Sequence, residues 1–92
     1  MVKVSRLNGK KVVTTNAFVV GEVEAAELDT NTWQITHLHI ALATEALQQL
    51  GYKKPLLGSV TICLPVGYVQ AVHDVITLSR TFQELKETKE CK

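Results

Sequence analysis

The sequence has no long apolar run, no glycine-rich loop and no excess of charge, and each absence closes a class of function. No segment approaches ~18 consecutive apolar residues, so no membrane-spanning helix and no membrane insertion are expected. Lys3 and Arg6 open the chain without an apolar block behind them, so a secretory signal is not expected and cytoplasmic residence follows by default. Neither a Gly-x-Gly-x-x-Gly nor a Walker-type phosphate loop is present. A formal charge of +1 removes the strongest argument for nucleic-acid binding, since recognition of the backbone needs a cluster of Lys and Arg. The aromatics Phe18, Trp33, Tyr52, Tyr68 and Phe82 are not interleaved with basic residues, as single-strand binding requires. Direct nucleic-acid binding is therefore not expected. Cysteine is also scarce: Cys63 sits in an apolar run and is expected as a buried reduced thiol, and Cys91 lies one residue from the end, so no disulfide framework is expected.

Lys and Arg are missing altogether from residues 12–52, where Glu22, Glu24, Glu27, Asp29 and Glu45 lie, whereas Lys3, Arg6, Lys10 and Lys11 make the first segment basic. That polarity could steer a complementary surface, unless folding brings the two groups together and cancels it. With 92 residues the chain can build one hydrophobic core. A chain of this size buries only about 60% of its unfolded surface. Since 46% of it is hydrophobic, part of that apolar surface must stay outside. Self-association as a dimer together with binding of a larger protein is the expected use.

Residues 11–15 form a run rich in β-branched side chains that fits a strand after the Asn8-Gly9 turn. Residues 18–28 alternate, with Val19, Gly21, Val23 and Ala25 on one face, until Leu28 breaks the parity; a bulge near residues 25–27 would restore it. After a turn at 29–32, Trp33 and Ile35 share a face and Trp33 is expected in the core; the phase then shifts to Leu38, Ile40 and Leu42. Two phase changes in paired strands imply curvature of the kind a small barrel requires. Over 43–50 the period becomes helical, with Ala43, Ala46, Leu47 and Leu50 on one stripe and Gly51 as the stop. Val60, Ile62 and Leu64 point inward on a further strand, Pro65 ends it with a single helical turn through Val66 and Val69, and residues 75–78 form a final strand. Thr81-x-x-Glu84 matches a capping box that places Phe82 and Leu85 against the body. The resulting division is one domain over 1–80 with a helical insertion at 43–50, and a tail over 81–92 that is partly helical and then disordered.

The order of these breaks resembles the PRC-barrel family, particularly its short single-domain archaeal members. The residues that carry the resemblance are Gly9, Gly21 with Val23, Asp29, the lip from Pro65 to Val69 and the strand containing Asp74, Val75 and Ile76, over residues 5–79. Ala25, where many members are acidic, and the helix at 43–50 depart from the pattern. The resemblance implies an all-β, small six-stranded-type barrel, to which this chain would add one inserted short helix and a short C-terminal helix or tail. It also implies a non-catalytic adaptor or scaffold, linking components of a cell-division assembly or, alternatively, serving RNA processing or ribosome maturation through a ribosomal protein.

No catalytic group stands out. Ser59 and Ser79 lack a nucleophile-elbow context, Cys63 lacks a histidine at a telling position, and Glu22 and Glu24 face outward. No enzyme activity, cofactor or small-molecule substrate is expected. His37 and His39 point the same way on a strand, but a metal site would need a third ligand, for which Asp29, Glu45 or His73 are the candidates, and none is expected. As surface residues they would suit an interface sensitive to pH near neutrality. The expected partner-binding residues are Leu56, Leu57, Tyr68, Tyr52, Phe82, His37 and His39.

Overall fold

A computed structural model describes residues 3–51, 60–87 and 89–90 of the chain. After a 3₁₀ turn at Val4–Arg6 come β1 (Lys11–Val13), β2 (Val19–Asp29), β3 (Gln34–Leu42), α1 (Thr44–Gln49) and β4 (Thr61–Pro65). A second 3₁₀ turn at Val66–Tyr68 leads to β5 (Val69–Val72) and β6 (Val75–Leu78), and a third at Gln83–Glu87 precedes the two-residue β7 (Lys89–Glu90). The strands form one seven-stranded sheet in the order β5-β6-β1-β2-β3-β4-β7. All pairs are antiparallel except β1 with β6.

The expected barrel is not formed. Closure would require the two outer strands to pair, and β5 and β7 instead end the sheet on opposite sides. The bulging read from the sequence is present: register shifts fall between Val23 and Ala25 and between Glu27 and Leu28, with a further one between Val12 and Val13 on β1. Bulges bend and coil strands, but closing a sheet also needs matched tilt and stagger around the whole circuit. Here the open side is covered by other elements. Leu7, Ala46 and Leu47 of α1, Phe82 and Leu85 join Val12, Val20, Val23, Leu38, Ile40, Leu42, Ile62, Leu64, Ile76 and Leu78 in one buried cluster. The resemblance to PRC-barrel proteins therefore fails on architecture.

Three local expectations are met. The stripe over 43–50 becomes α1, which buries Ala46 and Leu47 and ends with Gly51 at φ +83°, a left-handed conformation that glycine adopts without strain. Pro65 closes β4 and the single 3₁₀ turn follows at once. The Glu84 half of the capping box forms: the Thr81 backbone N–H donates to Glu84 Oε1 at 3.0 Å, while the Thr81 hydroxyl donates to the same oxygen at 3.2 Å and the Glu84 N–H donates to the Thr81 carbonyl. The backbone hydrogen bond from Thr81 chiefly holds the Glu84 carboxyl below its usual range; desolvation opposes it, and the Thr81 hydroxyl and Arg80 add smaller lowering effects. This contribution to stability is present above the unfolded carboxyl's pKa and fades as pH falls through the lower folded value.

Others are corrected. A bulge opposite Val12 and Val13 puts Val20 in the core and leaves Val19 43% exposed, so the face assigned to Val19 belongs to its neighbour. Trp33 is 72% exposed rather than core, because the chain turns at that residue. Cys63 is half-buried on the face opposite the core and is disulfide-bonded, not a reduced core thiol; the sequence's other cysteine, Cys91, lies outside the described residues. The charge asymmetry is partly cancelled, since Lys11 lies opposite Glu22 across β1 and β2.

Candidate functional site

The half of the β2–β3 hairpin farthest from β1 carries the unusual chemistry. β1 pairs with β2 only from Val19 to Glu22, and β4 pairs with β3 only from His37 to Ala41. Leu28, Asp29, Gln34 and Ile35 are therefore paired with one another beyond the reach of the flanking strands. A two-stranded ribbon is marginal alone, so this end relies on Ile35, which packs against the core, and on its turn. Asp29 organises it: Asn31 N–H donates to Asp29 Oδ1 at 2.8 Å and Trp33 N–H donates to the Asp29 carbonyl at 2.6 Å. Closing the loop in this way puts Trp33 at φ +57°, a region that is costly for a bulky L-residue. Leu28, 46% exposed, adds apolar surface on the same overhang.

Behind the overhang, on the sheet face away from the core, a polar cluster is assembled by register alone. Glu27 lies opposite His37, Ala25 opposite His39, and His39 opposite Cys63 on β4. Alternation sends their neighbours Leu38 and Leu64 into the core and these side chains outward. Glu27 approaches both imidazoles, with Oε2 3.4 Å from His37 Nδ1 and Oε1 3.3 Å from His39 Nε2. The approach to His39 does not satisfy hydrogen-bond geometry, and Nε2 is buried without a hydrogen-bond partner. His37 Nδ1 also lies 3.0 Å from the Thr36 hydroxyl. A ligand atom from each of Glu27, His39 and Cys63 falls within 4.8 Å of the others. Such a set offers mixed oxygen, nitrogen and sulfur donors to a metal ion once the sulfur is a thiolate.

Of the residues expected to bind a partner, His37 and His39 are brought together. Tyr52, Leu56 and Leu57 lie outside the described residues. Tyr68 is half-buried against the core with the Arg80 guanidinium 4.8 Å from its ring centre, and Phe82 is 9% exposed, its ring centre 4.3 Å from that of Phe18. Both act as lids on the core. Asp29, Glu45 and His73 do not join the histidines; Glu27 and Cys63 do. Sequence reasoning passed over Glu27 because its placement opposite His37 requires knowing where the bulge falls, and Cys63 because its strand partner is set by nonlocal pairing. The usable signal was parity: Cys63 alternates out of phase with Ile62 and Leu64, as His39 does with Leu38 and Ile40.

Among the described residues, no helix is long and apolar enough to cross a membrane. No protein-family model matches the chain, and no curated protein resembles it significantly.

Proposed function

We propose that this protein is a non-catalytic binding module that engages another protein through the end of the β2–β3 hairpin, with Trp33 as its anchor. The observation that carries this reading is a tryptophan 72% exposed and held at a left-handed backbone angle where glycine or asparagine would be cheaper. Tryptophan is the side chain most enriched among residues that dominate binding energy, because it buries a large area for little lost rotamer freedom. The Asp29 hydrogen bonds fix the loop before contact, which lowers the ordering cost of association. Leu28 extends the contact along the ribbon, and Glu27, His37 and His39 supply a polar flank. A second copy of the chain and a larger protein both fit this description.

The two roles of Trp33 can be separated experimentally. Trp33→Gly is expected to raise folding stability by about 1 kcal/mol, because glycine removes the left-handed strain at that position. The same variant should lose whatever partner the wild-type chain recovers in affinity capture, or its self-association in sedimentation. A variant that is more stable yet retains the wild-type partner and association state would show that Trp33 is not the anchor.

A further inference from the structure

We propose that Glu27, His39 and Cys63 form a redox-gated site for a divalent transition metal of the zinc class, closed to metal while Cys63 is in a disulfide and opened by reduction. Three observations converge. The donors come from three adjacent strands whose register places them on one face within 4.8 Å of one another. His39 Nε2 is buried without a hydrogen-bond partner, yet it faces Glu27 Oε1 at 3.3 Å. Two ligands on one tetrahedral zinc ion stand roughly 3.5 Å apart, given metal–ligand bonds of about 2.0 to 2.3 Å. The Glu27–His39 pair is therefore already spaced for a shared ion, and the sulfur needs only a modest adjustment. Glu27's second oxygen faces His37 Nδ1 at 3.4 Å, so His37 can hold the carboxylate in orientation from behind, as partners of metal ligands commonly do.

The gate is Cys63 itself, whose sulfur is committed to a disulfide in this structure. A dithiol reductant opens it by thiol–disulfide exchange: the protein S–S bond breaks, two protein thiols form, and the reductant closes its own disulfide having given up two electrons and two protons. Metal then binds the Cys63 sulfur as thiolate and its proton passes to solvent. Three protein ligands leave one position for water or for a group from a partner, the arrangement of open rather than purely structural zinc sites. Reoxidation removes the thiolate and leaves His39 and Glu27, too few to retain the ion. Soft sulfur and borderline nitrogen favour zinc or cobalt over magnesium and calcium, which prefer all-oxygen shells.

The test is equilibrium dialysis of the full chain against Zn²⁺, with Co²⁺ as the optical probe. The protein is used oxidised, or after treatment with a phosphine that takes its oxygen, and the two thiol protons, from water. The reduced chain should take up one equivalent of Zn²⁺ and give a thiolate-to-cobalt charge-transfer band, and the oxidised chain should bind at least about a hundredfold more weakly, since even loss of a supporting residue costs tenfold or more. Cys91→Ser, which removes the only intramolecular route to the disulfide, should bind without reductant. His39→Ala and Glu27→Gln should weaken binding while retaining the wild-type circular dichroism. The proposal is overturned if neither the reduced chain nor Cys91→Ser takes up stoichiometric metal, if the cobalt complex lacks the thiolate band, or if oxidised and reduced chains bind alike.

Discussion

Gly21→Ala is expected to cost about 3 kcal/mol of folding stability, the upper part of the range for overpacking a well-filled site. Gly21 lies opposite Val12 on one side and Leu42 on the other, where β2 is squeezed between two strands of the sheet. A methyl group built there would overlap the Ala41 carbonyl oxygen and stand 2.9 Å from its carbon and 3.0 Å from Leu42 Cα. All three obstacles are backbone, so relief requires shifting a strand rather than rotating a side chain. A chain of this length has a total stability on the order of 5 to 10 kcal/mol, so the loss should be plain in the urea midpoint. Gly67→Ala is the control, since a methyl there meets nothing within 4 Å. Equal midpoints for the two variants would mean that β2 and β3 do not approach as described.

Ile40→Ala is expected to cost about 3 to 4 kcal/mol, as burial of a large aliphatic side chain is lost and a cavity is left behind. Ile40 is fully buried and lies between Val23 on β2 and Ile62 on β4, at the centre of the sheet's inner face. Leu28→Ala, at the far end of the same β2–β3 pair, should change stability by less than about 0.5 kcal/mol. The contrast separates a packed centre from a ribbon on which Ile35 still packs against the core while Leu28 and Trp33 face solvent. If both substitutions destabilise equally in urea denaturation, the overhang is packed and the binding arm loses its basis.

Legibility in the sequence followed the range of the interactions involved. The α1 stripe, the Pro65 break, the inward Val60, Ile62 and Leu64, and the Thr81–Glu84 cap are decided by neighbours a few residues apart, and they form as read. Sheet order is not local. The parallel pairing of β1 with β6 brings together segments separated by most of the chain, and it leaves β5 as an outer strand where barrel closure had been expected. Bulges form an intermediate case. Their existence shows in the broken parity at Leu28, but moving one by a residue exchanges Val19 for Val20, and that is where the reading of β2 failed.

The candidate site was half legible for the same reason. His37 and His39 are paired by strand alternation, which a sequence displays directly. Glu27 and Cys63 reach them only through the registers of two different strand pairs. Trp33 misled the reading because a large apolar residue at a strand start is usually core, and nothing in its composition announces the left-handed turn that Asp29 imposes.

Binding through the hairpin requires that Trp33 stand in solvent at the end of a preformed turn. It is the only tryptophan in the chain, so its fluorescence reports on that position alone. In dilute solution, where any self-association is reversed, acrylamide should quench native Trp33 almost as efficiently as it quenches the urea-unfolded chain, and the emission maximum should scarcely move on unfolding. A native emission shifted to the blue and shielded from acrylamide until the chain unfolds would contradict it.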